Sequence, residues 1–298
     1  GTLRLDAGAM KFERFQAGLG GQGGAKLEGA VTFSQADAQP YAFDAAVTVT
    51  EFDSGALFHA LNPAQPATIA GRFNMESKFS GRALRLGDLA MGAAGNLQLT
   101  SRGGIFRGLP VSVAAKLESS RSLAAGIARL GSLANAIGGK NERTLGAIAN
   151  RAQAVAELAD YWNAIPYDQV SVTLLRDSGL NTTLNDFTLI SPEVRLAGSG
   201  QARHRPGTPV LDDVLSMAFT LRARGRHAEL LKYLGVLEGS PDELGYVPST
   251  RPLKVAGTLA QPDTSELNKQ LAAIALDKSG VSDKAMELFN RLRGGGKP

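Results

Sequence analysis

The stretch Leu-Asn-Thr-Thr-Leu-Asn-Asp-Phe-Thr-Leu-Ile-Ser-Pro-Glu-Val-Arg-Leu-Ala-Gly-Ser-Gly-Gln, Leu180 to Gln201, reads as two β-strands hinged at one proline. Leu180, Thr182 and Leu184 alternate with polar neighbours, as does the run from Phe187 to Leu189. Val194 and Leu196 resume the period of two after Ser191-Pro192. Proline lacks the N–H that a ladder needs, so Pro192 belongs at a strand start or a turn. Similar units surround it, each an alternating strand ending in Gly or Asp, and together they predict one long, open, mostly antiparallel sheet.

The chain of 298 residues is long enough for a substantial core. Its 20% charged and 43% hydrophobic residues mark a folded chain, and its 35 glycines imply many turns. The 32 basic and 28 acidic side chains nearly balance and are spread along the sequence. A nucleic-acid footprint requires clustered basic residues, so no nucleic-acid partner is expected. The absence of cysteine excludes a disulfide framework and thiol chemistry. The chain opens at Gly1 on a strand-like Thr2 to Asp6 without an initiator methionine, which suggests a piece of a longer protein. No run approaches the roughly 20 apolar residues of a membrane-spanning helix, so any anchor is expected outside these residues.

Alternation predicts strands over Thr2 to Asp6, Ala9 to Ala17, Lys26 to Ser34 and Tyr41 to Thr50. The loop Gly18-Leu19-Gly20-Gly21-Gln22-Gly23 formally matches G-x-G-x-x-G, but a strand follows it, whereas pyrophosphate binding needs a helix N-terminus. It is read as a hairpin loop. Asp53 caps a short helix to Leu61, on which His59 has no ligand partner at metal spacing. A strand over Thr68 to Ser80 carries Gly71 as a bulge, and a short helix is expected over Leu84 to Met91. The segment Gly95 to Leu109 reads as a strand, a turn at Gly103-Gly104 and a second short strand. Arg102 and Arg107 beside that turn suit a phosphate or lipid headgroup, although solvated charge is the commoner role of such arginines.

From Lys116 to Asn163 the period changes to 3.6, with Leu123, Ile127, Leu130 and Ile137 as one stripe and Leu145, Ile148, Val155, Leu158 and Trp162 as the next. This is a helical hairpin inserted between two halves of a sheet. The sheet resumes over Gln169 to Leu175, the opening stretch, and Val214 to Arg224. Arg222, Arg224 and Arg226 alternate as a basic rail, read as a solvated outer face, and His204 falls in an expected exposed turn. A helix over His227 to Gly235, a strand over Pro252 to Ala260 and helices over Thr264 to Leu276 and Ser282 to Leu292 complete the chain. The expected organisation is one continuous α+β domain in four parts: 1–118, the first half of the sheet; 119–163, the hairpin; 164–262, the second half; and 263–298, C-terminal helices and a tail.

Neither a nucleophile elbow, a His pair at helical spacing nor a P-loop occurs, and the histidines at 59, 204 and 227 are far apart in sequence. No catalytic residue, metal site or cofactor is therefore expected, and function must be argued from the sheet.

The order of these pieces resembles the C-terminal region of the AsmA-like proteins of Gram-negative envelopes. The resemblance is carried by Gly95-Asn96-Leu97-Gln98-Leu99 and Gly104-Ile105-Phe106-Arg107-Gly108, an intervening helical stretch, Leu189-Ile190-Ser191-Pro192 and Gly198-Ser199-Gly200, and then Gly257-Thr258-Leu259 before Pro262. It spans Thr68 to Pro262, most of the chain. It implies a periplasmic, inner-membrane-anchored protein whose elongated, twisted sheet curls into a groove and moves phospholipid between inner and outer membranes. It implies no catalytic residues, and its partners would be an acyl lipid, the membrane reached through an anchor outside this chain, and an envelope protein.

Physics points the same way. A sheet with one apolar face must bury it, and an uncovered remainder marks a binding surface. At ~0.8 kcal/mol per buried CH₂, an acyl chain of about sixteen carbons gains ~13 kcal/mol before entropy, so capture needs no polar motif. The residues expected to line the groove are Phe12, Phe33, Phe43, Val47, Phe73, Leu97, Leu99, Leu184, Phe187, Leu189, Val194 and Leu196. The alternative is a structural or scaffolding module for outer-membrane assembly, whose helices fill the apolar face and leave no ligand.

Overall fold

The computed structural model describes residues 1–19, 22–56, 69–89, 92–107, 158, 161, 164–233, 235–258 and 261–263. Within them the chain is dominated by strands: β1 (Thr2–Asp6), β2 (Ala9–Gly18), β3 (Gly24–Phe33), β4 (Tyr41–Asp53), β5 (Ile69–Ala83), β6 (Ala94–Phe106), β7 (Ile165–Arg176), β8 (Thr182–Ile190), β9 (Val194–Arg203), β10 (Val214–Ala223), β11 (Val247–Pro248), β12 (Leu253–Gly257) and β13 (Pro262–Asp263). They join one open sheet in sequence order, except that β11 pairs with β10 off the main path. Every pairing of defined register is antiparallel.

Helix is sparse among the described residues. The helix α1 (Gly225–Tyr233) replaces the expected span from His227. Residues 54–56 are helical, and the Asp53 Oδ1 accepts the N–H of Gly55 at 2.9 Å and of Ala56 at 3.3 Å, as a cap should. The expected helix over Leu84 to Met91 is reduced to a 3-10 turn at Leu86–Asp88. Of the helical hairpin, only Leu158 and Tyr161 are described, both helical. The rest of it, the C-terminal helices, His59 and Trp162 lie outside the described residues.

The hinge at Pro192 is a tight turn: β8 ends at Ile190, β9 starts at Val194, and the Ser191 N–H donates to the Val194 carbonyl at 2.8 Å. The expected turn at Gly103-Gly104 is corrected. Ala94–Phe106 is one continuous strand, and Gly103, at φ 77, is the extra residue of a bulge. His204 is corrected too. Only 9% of its side chain is exposed, and its Nδ1 lies 2.7 Å from Oδ1 of the fully buried Asp213.

The chain falls into two compact units. The first comprises Gly1–Phe106, Pro166–Thr220 and Lys254–Asp263; the second comprises Arg107–Ile165, Leu221–Leu253 and Thr264–Pro298. In the second, Leu221, Ala223, Leu230, Leu231, Tyr246 and Val247 are buried. The three arginines of the expected rail are individually engaged there: Arg222 pairs with Asp242 at 3.3 Å, Arg224 lies over the Tyr246 ring, and Arg226 pairs with Glu229 at 3.5 Å on α1. The Asp242 carboxyl, held by the Tyr246 N–H above all, stays below the usual carboxylate range.

Candidate functional site

The first unit carries an apolar surface whose rows run across the strands. Register places Leu3, Phe12, Gly29, Ala45, Phe79 and Gly95 in one row over β1 to β6. A second row is Leu5, Met10, Val31, Phe43 and Gly81, a third is Phe15, Leu27, Val47, Ser77 and Leu97, and a fourth is Ala17, Ala25, Val49, Met75 and Leu99. At about 4.8 Å between strands, a six-strand row spans roughly 24 Å. Lys26, Glu28, Lys78, Asn96 and Gln98, one residue out of step, are exposed as alternation requires.

Two devices keep this surface apolar. Aromatic rings face glycines across the strands: a Cβ on Gly81 would meet Phe43 at 2.8 Å, and one on Gly95 would meet Phe79 at 2.8 Å. The rings occupy space that only glycine leaves free. The second device is the bulge. One extra residue sits in β2 between Phe12 and Phe15, in β4 between Val49 and Phe52, in β6 opposite Gly71 and Phe73, and in β8 between Leu184 and Phe187. Residues three apart would otherwise face opposite ways; the bulge returns both to one face. Arg14 at φ 53 and Glu51 at φ 50 absorb the left-handed backbone in β2 and β4.

Exposure separates the expected lining residues into two sets. Phe12, Phe43, Val47, Leu97, Leu99 and Phe187 are half-buried, and Phe33, packed 5.2 Å from the Tyr41 ring, is 45% exposed. Phe73, Leu184, Leu189, Val194 and Leu196 are buried, with Val194 at 0% and Leu189 at 1%. These five are core, closed to solvent. Phe187, in edge-to-face contact with Phe219 at 5.4 Å, belongs to the rim of that core.

Row five marks the change. Phe52, Phe73 and Ser101 align, and the buried Tyr167 of β7 meets Ser101. Ser101 Oγ, 3.0 Å from the Tyr167 hydroxyl, lies 2.7 Å from the Arg72 carbonyl, and the Tyr167 hydroxyl lies 3.2 Å from the Ala70 carbonyl, so the two O–H groups are shared among these three contacts. A Cβ on Gly104 would overlap the Tyr167 hydroxyl, so glycine admits the ring. Burial pushes the Tyr167 phenol up from its ordinary value of 10.0, partly offset by the Ser101 hydrogen bond.

A polar cleft of about 610 Å³ also lies in this unit, lined by Glu51, Arg72, Asn74, Thr100, Arg102 and Gln169 among others. Arg72 and Glu51 pair across it at 3.6 Å, and both are exposed. Among the described residues no group of three His, Asp or Glu side chains is placed to hold a metal ion, and no helix is long and apolar enough to cross a membrane. Comparison with known protein families, with curated proteins and with solved structures gives no match.

Proposed function

We propose that this chain is a non-enzymatic lipid-binding module of the Gram-negative envelope, of the AsmA-like kind. In this reading acyl chains lie along the apolar rows of β1 to β6, in a groove that serves phospholipid movement between inner and outer membranes, and the module works in the periplasm. One observation carries the proposal: Phe12, Phe43, Val47, Leu97 and Leu99, on β2, β4 and β6, belong to four adjacent cross-strand apolar rows and are all only half-buried. A contiguous apolar surface of this size usually marks a binding site. Its ring-over-glycine construction suits a ligand that offers only CH₂ groups.

The scaffolding alternative draws support from a different set of residues. In the first unit Val170, Leu189 and Val194 are each 1% exposed or less, closed positions that leave no room for a ligand. The lipid reading is therefore confined to β1 to β6.

The test is to purify the full chain from envelope-bearing cells and analyse it by native mass spectrometry and solvent extraction. Phospholipid or fatty acid is expected in the unaltered protein and absent from Phe43→Glu and Leu99→Glu, with unchanged far-UV circular dichroism. A protein that carries no lipid and takes up none from vesicles would sink the proposal.

A further inference from the structure

Two bulges lie side by side in the ladders that join β4, β5 and β6. In β4, Thr50 and Glu51 stand against the single Asn74 of β5; in β6, Arg102 and Gly103 stand against the single Arg72. Each bulge carries one left-handed residue, Glu51 at φ 50 and Gly103 at φ 77, and for Glu51, which has a Cβ, that conformation is strained. Bulges re-aim side chains, and strained backbone gathers where a ligand is held. The polar cleft of about 610 Å³ is lined by both bulges and has the size of a small-molecule site.

The lining is rich in donors. Register sets Arg72 and Arg102 across one ladder position, an arrangement of like charges that destabilises a sheet. Glu51 compensates only one of them, pairing with Arg72 at 3.6 Å. Arg102 is exposed and makes no ion pair or hydrogen bond among the described residues. Asn74 Oδ1 accepts the Glu51 N–H at 3.1 Å, which leaves the Asn74 Nδ2 as a donor. The exposed side chains of Thr100 and Gln169, also in the lining, make no hydrogen bond among the described residues. A Cβ on Gly103 would meet nothing within 4 Å, so the space beside Arg102 is open.

We propose that this cleft binds a phosphate ester of a small polar alcohol. The Arg102 guanidinium takes the phosphate oxygens, as its planar fork of donors suits, and relieves its repulsion from Arg72 by doing so. Asn74, Thr100 and Gln169 meet the polar remainder, for which the cleft has room. The same chemistry belongs to a soluble phosphomonoester and to a lipid headgroup. The inference is independent of whether acyl chains occupy the apolar rows: Asn74 and Thr100 are one residue out of step with Met75 and Leu99 of the fourth row, so they stand on the other face of the sheet.

The test is isothermal titration calorimetry of the full chain with glycerol 3-phosphate, with glycerol as the uncharged control, alongside flotation with phosphatidylglycerol vesicles. Saturable binding of a phosphate-bearing probe is expected, and none of glycerol. Arg102→Gln is expected to weaken that binding at least about tenfold with unchanged far-UV circular dichroism, as loss of a charge-assisted pair requires, and Arg102→Lys to restore part of it. Arg203→Gln, which alters an exposed arginine at the end of β9, is expected to change nothing. Binding of glycerol 3-phosphate alone marks a soluble ester as the ligand, and Arg102-dependent flotation marks a headgroup. Binding of neither probe, or equal loss in Arg102→Gln and Arg203→Gln, would overturn the proposal. Flotation that Arg102→Gln leaves intact, without binding of glycerol 3-phosphate, would overturn it too while sparing the apolar rows as a lipid site, so the two readings fail separately.

Discussion

Strands β2 to β6 and strands β7 to β10 are written in the same pattern and end in opposite environments. Both sets alternate apolar and polar residues, and both use a bulge to keep residues three apart on one face, Phe12 with Phe15 in β2 and Leu184 with Phe187 in β8. Yet Val47 and Leu99 are half-buried where Leu189 and Val194 are almost completely enclosed. Alternation therefore decides which side of a strand is apolar. What covers that side is decided elsewhere in the fold, and the difference separates a surface from a core.

The sharpest way to break this contrast is to put a charge on each side of it. Val194→Asp buries an unpaired carboxylate and is expected to abolish cooperative folding, whereas Val47→Glu is expected to leave the urea transition nearly in place. Equal loss in both would make one core of the two regions. Truncation gives the next effect: Leu189→Ala is expected to cost about 2–5 kcal/mol in urea unfolding, and Leu99→Ala on the open face under about 1.5 kcal/mol. The boundary between the regions has its own signature in pH. Because the folded Tyr167 phenol titrates above its ordinary 10.0, its contribution is fully present below that pH and is lost as pH rises through the raised value. Tyr167→Phe is expected to cost about 1 kcal/mol near neutrality and to flatten this alkaline decline, followed by thermal melts across pH 8 to roughly 11. The smallest expected effect is Arg14→Gly, which relieves a left-handed residue and is expected to raise stability by up to about 1 kcal/mol. A loss there would mean that the Arg14 side chain contributes more than its backbone costs.

Much of the sheet is legible in the residues themselves. Tyr41 to Thr50 and Thr68 to Ser80 anticipate β4 and β5 to within three residues at every end, and Pro192 marks the turn between β8 and β9. The spacing of Phe12 and Phe15 carried the bulge signal too, since two large apolar residues three apart in a strand cannot share a face without one. At Gly103-Gly104 the same signal was obscured, because a glycine pair fits a hairpin turn as well as a bulge. His204 escaped for another reason. Flanked by Arg203 and Arg205, it is enclosed by Asp213, whose approach depends on the return of the chain at β10. Of the expected lining residues, the sequence could name the face of Phe43 and Val194 alike; only packing separates them.

The bulges also constrain how this protein can change. Each is one residue more than the antiparallel neighbour supplies, so the side chains beyond it keep step with their neighbours whether that residue is present or removed, but not if any other residue of the strand is lost. Losing the codon for Arg14 or Glu51 would leave Phe12 and Phe15, or Val49 and Phe52, two apart and still on one face, whereas losing a codon elsewhere in these strands would turn the residues beyond it to the opposite face. The antiparallel neighbours β3 and β5 carry no extra residue of their own and hold the phase that the shortened strand would still match.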